Sequence, residues 1–566
     1  MANFYEEKID FQRPKAIETV FKKLLDTPID SVKSLENWLI QQSIFFDEIE
    51  EGLTGHYIDF QCYSQSEEKK KQFEYDQQTI EPLVKKYSAL LDEKFLASPY
   101  KIELDSSHYT QFIKSKENAK ALFREENIAF EVEEDLLATH YFEHTSRLTV
   151  DWHGEEKTLS ELSIYLENDE RAVRKEAFSH IAEAFTIIET PLQKIMDDLI
   201  QIRQKKARNA GLSNYRDYMF KKYERFDYTP EDCNTLAEAV RKHVTPLKEK
   251  LQAAHKSELG VDLYRPWDTN GVAKGEHPLK PFNTRDELVQ RTTNILSKMD
   301  SRFADLLTTM DERYMLDLTT RKGKSPGGFC SPLPVSKLSF IFMNASQTHD
   351  DIITLLHEMG HCIHNDLKKE LKLSKYRDTP MESSELASMS MELFSMDHWH
   401  EFYENKTDLI RAKKELLKGI INFLPMGVVV DQFQHWLYEN PTHSIAERNA
   451  KFFELQKYYN SSVVDWSGYE TWAENSWMRI LHIYEVPFYF IEYVIAQLGA
   501  LQMYKQYREN RERTLENYKK ALKLGASCSL PEVYAVAGIS FDFSETMIKN
   551  LMDFLEDELA AVTDLN

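Results

Sequence analysis

The sequence predicts a mainly α-helical fold, and three observations carry that expectation. Glycine and proline are scarce for the length, 17 and 18 in 566 residues, which disfavours a turn-rich all-β fold and excludes a collagen-like or low-complexity chain. Apolar residues recur at three-to-four spacing along most of the chain. The 32 Phe, 28 Tyr and 8 Trp supply apolar surface for a large core, which excludes global disorder and makes disulfides or structural metals unnecessary for folding.

Taken in order, residues 14–50 and 67–96 carry apolar positions among Lys, Glu and Gln at helical spacing, and residues 110–145 read the same way. Arg147 to Trp152 is a strand-like interruption that leads through Gly154 to a helix start at Thr158-Leu159-Ser160-Glu161. The run from Asp169 to Gln204 predicts two amphipathic helices split near Pro191. Residues 264–285 break the pattern with Pro266, Pro278, Pro281 and Asn283. Residues 316–345 break it again, with a glycine loop through Gly323, Gly327 and Gly328 followed by a strand candidate, Ser339 to Asn344. Helical periodicity returns from Asp350 to the C-terminus. There is no internal repeat and no linker-like stretch. Length suggests about three to five domains, or fewer large ones. The expected division places an N-terminal helical lobe at 1–200 and a second helical lobe at 201–566.

Charge and cysteine usage exclude several function classes. The 70 Lys+Arg against 93 Asp+Glu leave a net charge of −23, which repels nucleic-acid phosphates and anionic membranes. The five cysteines, Cys62, Cys233, Cys330, Cys362 and Cys528, are scattered and form no CxxC; a reducing compartment fits them better than a disulfide framework. The opening segment Met1 to Glu7 is acidic and lacks the basic region and apolar run of a signal peptide. No stretch approaches 18 apolar residues. The expectation is a cytoplasmic protein without nucleic-acid or membrane partners; its oligomeric state has no signature in the sequence.

The chemistry lies in His357-Glu358-Met359-Gly360-His361. On a helix, positions i and i+4 share a face, so both imidazoles reach one ion, and zinc suits nitrogen ligands. Glu358 is rotated about 100° from His357, beside the ion, where a carboxylate acts as general base towards water. The competing reading, two surface histidines on an amphipathic helix, conflicts with the apolar neighbours Ile353, Leu356, Met359, Cys362 and Ile363, because buried His and Glu need partners. A catalytic zinc takes three protein ligands and an open position. Glu385 and Glu392, seven apart on one helical face, offer one ligand and one carboxylate to orient an imidazole; Glu382 competes by spacing. His364 lies on the same face as both histidines, but a third ligand along one straight helix does not close a tetrahedron, so it is assigned an outer or structural role.

Several blocks in order resemble the M3 family of zinc oligopeptidases, the thimet oligopeptidase and oligoendopeptidase F group, nearest the shorter branch with oligoendopeptidase F and Pz-peptidases. They are Asn214 to Tyr218 with Arg225 to Tyr228, the Gly323–Cys330 loop, Phe342-Met343-Asn344, the HExxH helix, Glu385 to Glu392, and His482 to Tyr493. The resemblance covers most of the chain and is strongest from about 205 to 500. It implies a two-lobed helical fold flanking a deep channel, with a small sheet beside the metal helix. It implies one zinc ion and short unfolded peptides as substrates. The family's E-x-x-S-x-x-x-E pattern fits Glu385, Ser388 and Glu392, which implies Glu385 as the third ligand. Family His and Tyr side chains that bind the substrate carbonyl correspond here to His482, Tyr489 and Tyr493. The chain departs from the thimet branch after the histidine, where Tyr484, Glu485 and Pro487 replace a glycine-rich stretch.

The resulting expectation is a zinc endopeptidase with Glu358, His482, Tyr489 and Tyr493 as catalytic residues and His357, His361 and Glu385 as ligands. Glu392 and His364 stand behind them, and Gly327, Gly328, Phe342 and Asn344 contact substrate. Ser339 to Asn344 is expected to pair with the peptide as an edge strand. The rival readings are a zinc carboxypeptidase and a non-catalytic helical peptide-binding protein.

Overall fold

Helices form where the apolar spacing places them. In the computed structural model, which describes residues 4–564, the first stretch divides into Pro14–Asp26 and α1, Val32–Cys62. The first three residues of the acidic opening segment lie outside the described residues. Ser31 caps α1: its hydroxyl accepts from Ser34 N, and the Ser34 hydroxyl accepts from Ser31 N. The run 67–96 is Glu67–Tyr75 and Glu81–Ala97, joined by one π-turn at Asp76–Ile80. The next run is Ser106–Leu122 and Asn127–Thr145.

The strand-like segment is β1, Thr149–Trp152, and it has an antiparallel partner that the sequence reading passed over, β2, Glu155–Thr158. β2 reads Glu-Glu-Lys-Thr and is largely exposed, so no apolar alternation announces it. Its turn does: His153 and Gly154 have φ of 57° and 88°, the backbone a two-residue hairpin requires. The two helices expected from Asp169 are Arg171–Ile187 and α2, Glu189–Asn209. Pro191 sits in the first turn of α2, where its missing N–H costs little. The boundary expected at residue 200 falls inside α2.

A buried ionic knot fixes α2. Arg203 and Lys206 are fully buried; Arg203 Nε donates to Glu134 Oε1 at 2.6 Å and Lys206 Nζ to Glu134 Oε2 at 2.5 Å. Burial opposes the Glu134 charge, yet Arg203, Lys206 and Lys222 outweigh it and hold the carboxyl well below the usual range. A depressed folded pKa contributes stability that is complete above the unfolded value, about 4.3, and is lost as pH falls through the folded value. Glu134→Gln is therefore expected to lower unfolding stability by about 3–5 kcal/mol near neutrality. In urea unfolding the difference from wild type stays constant from pH 8 to 5 and shrinks below about pH 4; a constant difference down to pH 3 would contradict the ion-pair account.

The second break forms a three-stranded sheet: β3, Leu316–Thr319; β4, Phe329–Leu333; and β5, Leu338–Ala345, in the order β3-β5-β4. β5 is parallel to β3 and antiparallel to β4. This corrects the expectation for Ser339 to Asn344. That segment lies in the central strand, where Ile341 and Phe342 pair with β3 on one side and β4 on the other, and the outer strand next to the glycine loop is β4. The reason is legible afterwards, since β5 is almost wholly buried and a doubly covered strand reads as a continuous apolar run.

Past the sheet come α3, His349–Lys368; α4, Met381–Ser395; α5, Lys406–Glu439; and α6, Phe490–Glu509. Among the described residues, α5 alone is long and apolar enough to cross a membrane, and most of its apolar window is buried inside the protein. One hydrophobic core runs from Phe4 to Val562. A second joins the N-terminal helices to Leu373 and Tyr376. Glu51 of α1, fully buried, accepts from Val335 N, Ser336 N and Glu6 N at 2.6–2.8 Å. The N-terminal helices are thus tied directly to the β4–β5 turn.

Candidate metal centre

α3 begins at a capped turn: Asp351 Oδ2 accepts from Ser346 N at 2.8 Å and Thr348 N at 2.7 Å. It crosses beneath the sheet, with Cys330 Sγ of β4 3.5 Å from Cys362 Sγ. α4 packs against it unusually closely at one point. A Cβ on Gly360 would lie 2.4 Å from Ser388 Cα and 2.8 Å from the Ala387 carbonyl oxygen. Both are backbone atoms that cannot swing aside. The glycine inside HExxH therefore lets α4 deliver its glutamate to the two imidazoles. In Gly360→Ala the gain in helix propensity, about 1 kcal/mol, is smaller than the overpacking cost of about 1–3 kcal/mol or more. The variant is expected to melt lower and to bind metal more weakly, as checked by thermal unfolding and chelator competition. Wild-type metal affinity in a folded variant would contradict the packing role.

The donor atoms of His357, His361 and Glu385 all lie within 4.8 Å of one another. Glu385 Oε2 is 3.2 Å from His357 Nε2 and 3.7 Å from His361 Nε2. The structure thus brings together the three expected ligands, and their nitrogen and carboxylate set suits zinc. Glu382 turns elsewhere, accepting from Tyr228 OH at 2.5 Å. Glu392 Oε1 is 2.6 Å from His357 Nδ1, which presents Nε2 to the site. Burial opposes a charge on His357, but Glu385 and Glu392 outweigh it and pull its pKa well up. For Glu385, burial is outweighed by His361, His357 and Tyr489, which lower its pKa to about 2. This pocket is built to hold positive charge. His361 is pushed down to about 4, chiefly by burial. His364 is buried with its Nε2 unpartnered among the described residues, and it lies outside the donor group.

Glu358 lies alongside. Its Oε2 is buried without a hydrogen-bond partner among the described residues, and burial pushes its pKa up to about 7. A carboxyl so poised exchanges a proton readily near neutrality. On the other side, Tyr489 OH donates to Glu385 Oε1 at 2.7 Å, and Tyr493 OH is 3.4 Å from His482 Nε2. The rings of His482, Tyr489 and Tyr493 lie 4.9–5.9 Å apart. Burial, then Glu385, raises the pKa of both tyrosines, so their hydroxyls stay protonated donors. Ser388, whose Oγ donates to Glu385 Oε2 at 3.1 Å, holds the carboxylate from its own helix; its position three residues after Glu385 was the available signal.

The substrate-facing residues separate. Gly327 and Gly328 are exposed beside the start of β4. Phe342 is fully buried, stacked on Phe329 with centroids 4.8 Å apart, and Asn344 donates to the carbonyls of Ser325 and Gly327 at 2.8 and 2.9 Å. Both belong to the scaffold under the glycine loop, because β5 is internal. A cavity of about 1400 Å³ lies at the N-terminal end of α3, lined by Asp350 of α3 and Lys418, Asn422 and Met426 of α5. None of the three donors lines it; Asp350 is seven residues before His357, about 10 Å along a helix. A second donor group, Cys233, Asp431 and His435, is wholly buried and has no face open to a substrate.

A sequence model described as Peptidase family M3 matches residues 164–553. An oligoendopeptidase F homolog from Lactococcus lactis subsp. lactis (strain IL1403) is 23% identical over 420 residues, 71% of this chain and 66% of that protein. Oligopeptidase PepF of Bacillus subtilis (strain 168) is 23% identical over 440 residues, 73% of this chain and 62% of that protein. The matches thus span less than two thirds of these relatives' own length. Among solved structures, Pz peptidase A with an inhibitor superposes with a TM-score of 0.93 at 25% identity, covering 99% of both chains. Oligoendopeptidase F from Enterococcus faecium shares the fold, with a TM-score of 0.65 at 16% identity over 98% of both chains. With the family match covering well over half of its length and the HExxH helix inside it, the chain belongs to peptidase family M3.

Proposed function

We propose that this protein is a zinc-dependent endopeptidase that hydrolyses internal bonds of short, unfolded peptides. The observation that carries the reading is the convergence of His357, His361 and Glu385 beside an unpartnered, buried Glu358. The first three would hold the ion, which when bound supplies Lewis acidity towards a carbonyl oxygen and makes water a nucleophile near neutral pH. Glu358 Oε2 takes the proton of the attacking water and passes it to the leaving amine. His482 Nε2 and the Tyr493 hydroxyl, close to each other beside Glu385, donate to the developing oxyanion, while the Tyr489 hydroxyl, committed to Glu385 Oε1, steadies that ligand. Glu392 keeps His357 in the tautomer that presents Nε2. The free side of β4, flanked by Gly327 and Gly328, takes the substrate backbone as an added strand, which favours broad sequence tolerance.

The test pairs metal analysis with an internally quenched peptide blocked at both ends, assayed before and after chelation. One zinc per chain, internal cleavage and loss on chelation support the reading. Cleavage only of peptides with a free C-terminus would make the protein a carboxypeptidase. Bound zinc with no cleavage of any peptide would make it a binding protein.

A further inference from the structure

Between His482 and Tyr489 the chain makes a short turn through Phe488, whose φ is +68°. A bulky side chain rarely enters that region, whereas glycine enters it freely. The Phe488 peptide is gripped from both sides. Gln434 Oε1 of α5 accepts from Phe488 N at 2.7 Å. Arg225 Nη2 donates to the Phe488 carbonyl and, at 2.7 Å, to Glu492 Oε1. The ring is lodged among Phe220, His435 and Tyr438, with centroids 5.5–6.3 Å away. Arg225 and Glu492 are buried, and Arg225 Nε and Nη1 and Glu492 Oε2 have no hydrogen-bond partner among the described residues. Unpartnered buried polar atoms are costly, and so is left-handed backbone at a phenylalanine. Such features persist where the surroundings over-determine them, and they cluster at functional sites. The very next residue is Tyr489, whose hydroxyl meets the Glu385 carboxylate.

We propose that Arg225 and Gln434 are positioning residues: they lock the Phe488 peptide in its left-handed conformation and thereby aim the Tyr489 hydroxyl at Glu385. The catalytic consequence rests on the peptidase reading above; the clamp itself is a property of the metal-free chain. The other end of the turn is held separately, since Arg203 donates to the carbonyls of Ile483 and Tyr484 beside His482. Loss of Arg225 therefore acts on Tyr489 and spares His482.

Arg225→Lys keeps a cation, but its ammonium ends one bond short of the Nη2 position from which both acceptors are reached. In the metal-free variant the Phe488 amide is expected to exchange hydrogen at least about tenfold faster than in wild type. Metal affinity, measured by chelator competition, is expected to fall by the same factor, about tenfold, in Arg225→Lys and in Tyr489→Phe, and no further in the double variant. In the zinc-loaded enzyme, kcat falls about tenfold or more with KM little changed, and this effect too disappears in the Tyr489→Phe background. A general loss of stability would instead be additive with Tyr489→Phe. Additive effects, or unchanged Phe488 exchange, would overturn the proposal. If the wild type cleaves no peptide, the functional reading fails while the exchange and affinity arms still judge the clamp. Should Arg225→Lys not fold, Gln434→Met, which removes only the acceptor for Phe488 N, is put through the same cycle with the same criteria.

Discussion

Glu358→Gln is expected to lower kcat by about 10²–10⁴-fold, the range that a positioned general base contributes, while one metal per chain remains bound. The amide has the shape of the carboxylate and no basic oxygen able to take a proton. The fold has little reason to suffer. Glu358 Oε2 makes no hydrogen bond among the described residues, so no partner is orphaned, and a neutral amide avoids the desolvation of a buried carboxylate. The three donors are other residues, so metal analysis should match wild type. Hydrolysis of the quenched peptide at near-normal rate by the folded, loaded variant would sink the base assignment.

Glu385→Ala is the second large effect, and its control is three residues away. Removing Glu385 deletes the only carboxylate within reach of both imidazoles among the described residues, and it strips the Tyr489 hydroxyl of its acceptor. The metal affinity should fall by more than the ~10–100-fold typical of an outer partner, with activity lost in parallel. Glu382→Ala should keep its metal, because Glu382 is engaged by Tyr228; its cost is a buried phenol left without an acceptor, about 1–3 kcal/mol of stability. Equilibrium dialysis against a strong chelator separates the two. Full occupancy in Glu385→Ala would move the third ligand elsewhere.

Much of this centre was legible in the residues, for a local reason. His357, Glu358 and His361 lie within one helical turn, and Glu385 and Glu392 within two turns of another, so helix geometry alone orders each set. What one sequence does not carry is which helix faces which. The choice between Glu382 and Glu385 needed the family resemblance, and the structure supplies the physical cause in Gly360, where α3 and α4 touch through their backbones. The sheet order was illegible for the same reason. The strand Ser339 to Asn344 was found, but its placement between β3 and β4 depends on pairings across sequence that no local pattern encodes. Phe342 and Asn344 consequently moved from the substrate side to the support of the glycine loop. The departure from the thimet branch at Tyr484, Glu485 and Pro487 has a structural counterpart as well: the turn there is imposed by Arg225 and Gln434 on a phenylalanine, contacts that are more than fifty residues distant in sequence.

The free side of β4 has a cost that the chain contains by design of length. A strand edge without a sheet partner invites other extended chains, including copies of itself, and open edges seed aggregation. β4 spans five residues, Phe329–Leu333, is preceded by two exposed glycines, and carries Pro332 near its far end, a residue with no N–H to offer and one typical of strand edges. Its other side is already consumed by β5. Such an edge can hold a guest over a few residues and then release it, but it is too short and too interrupted to template a growing sheet. A protein whose proposed occupation is gripping unfolded peptides is thereby protected from being assembled into fibres by them.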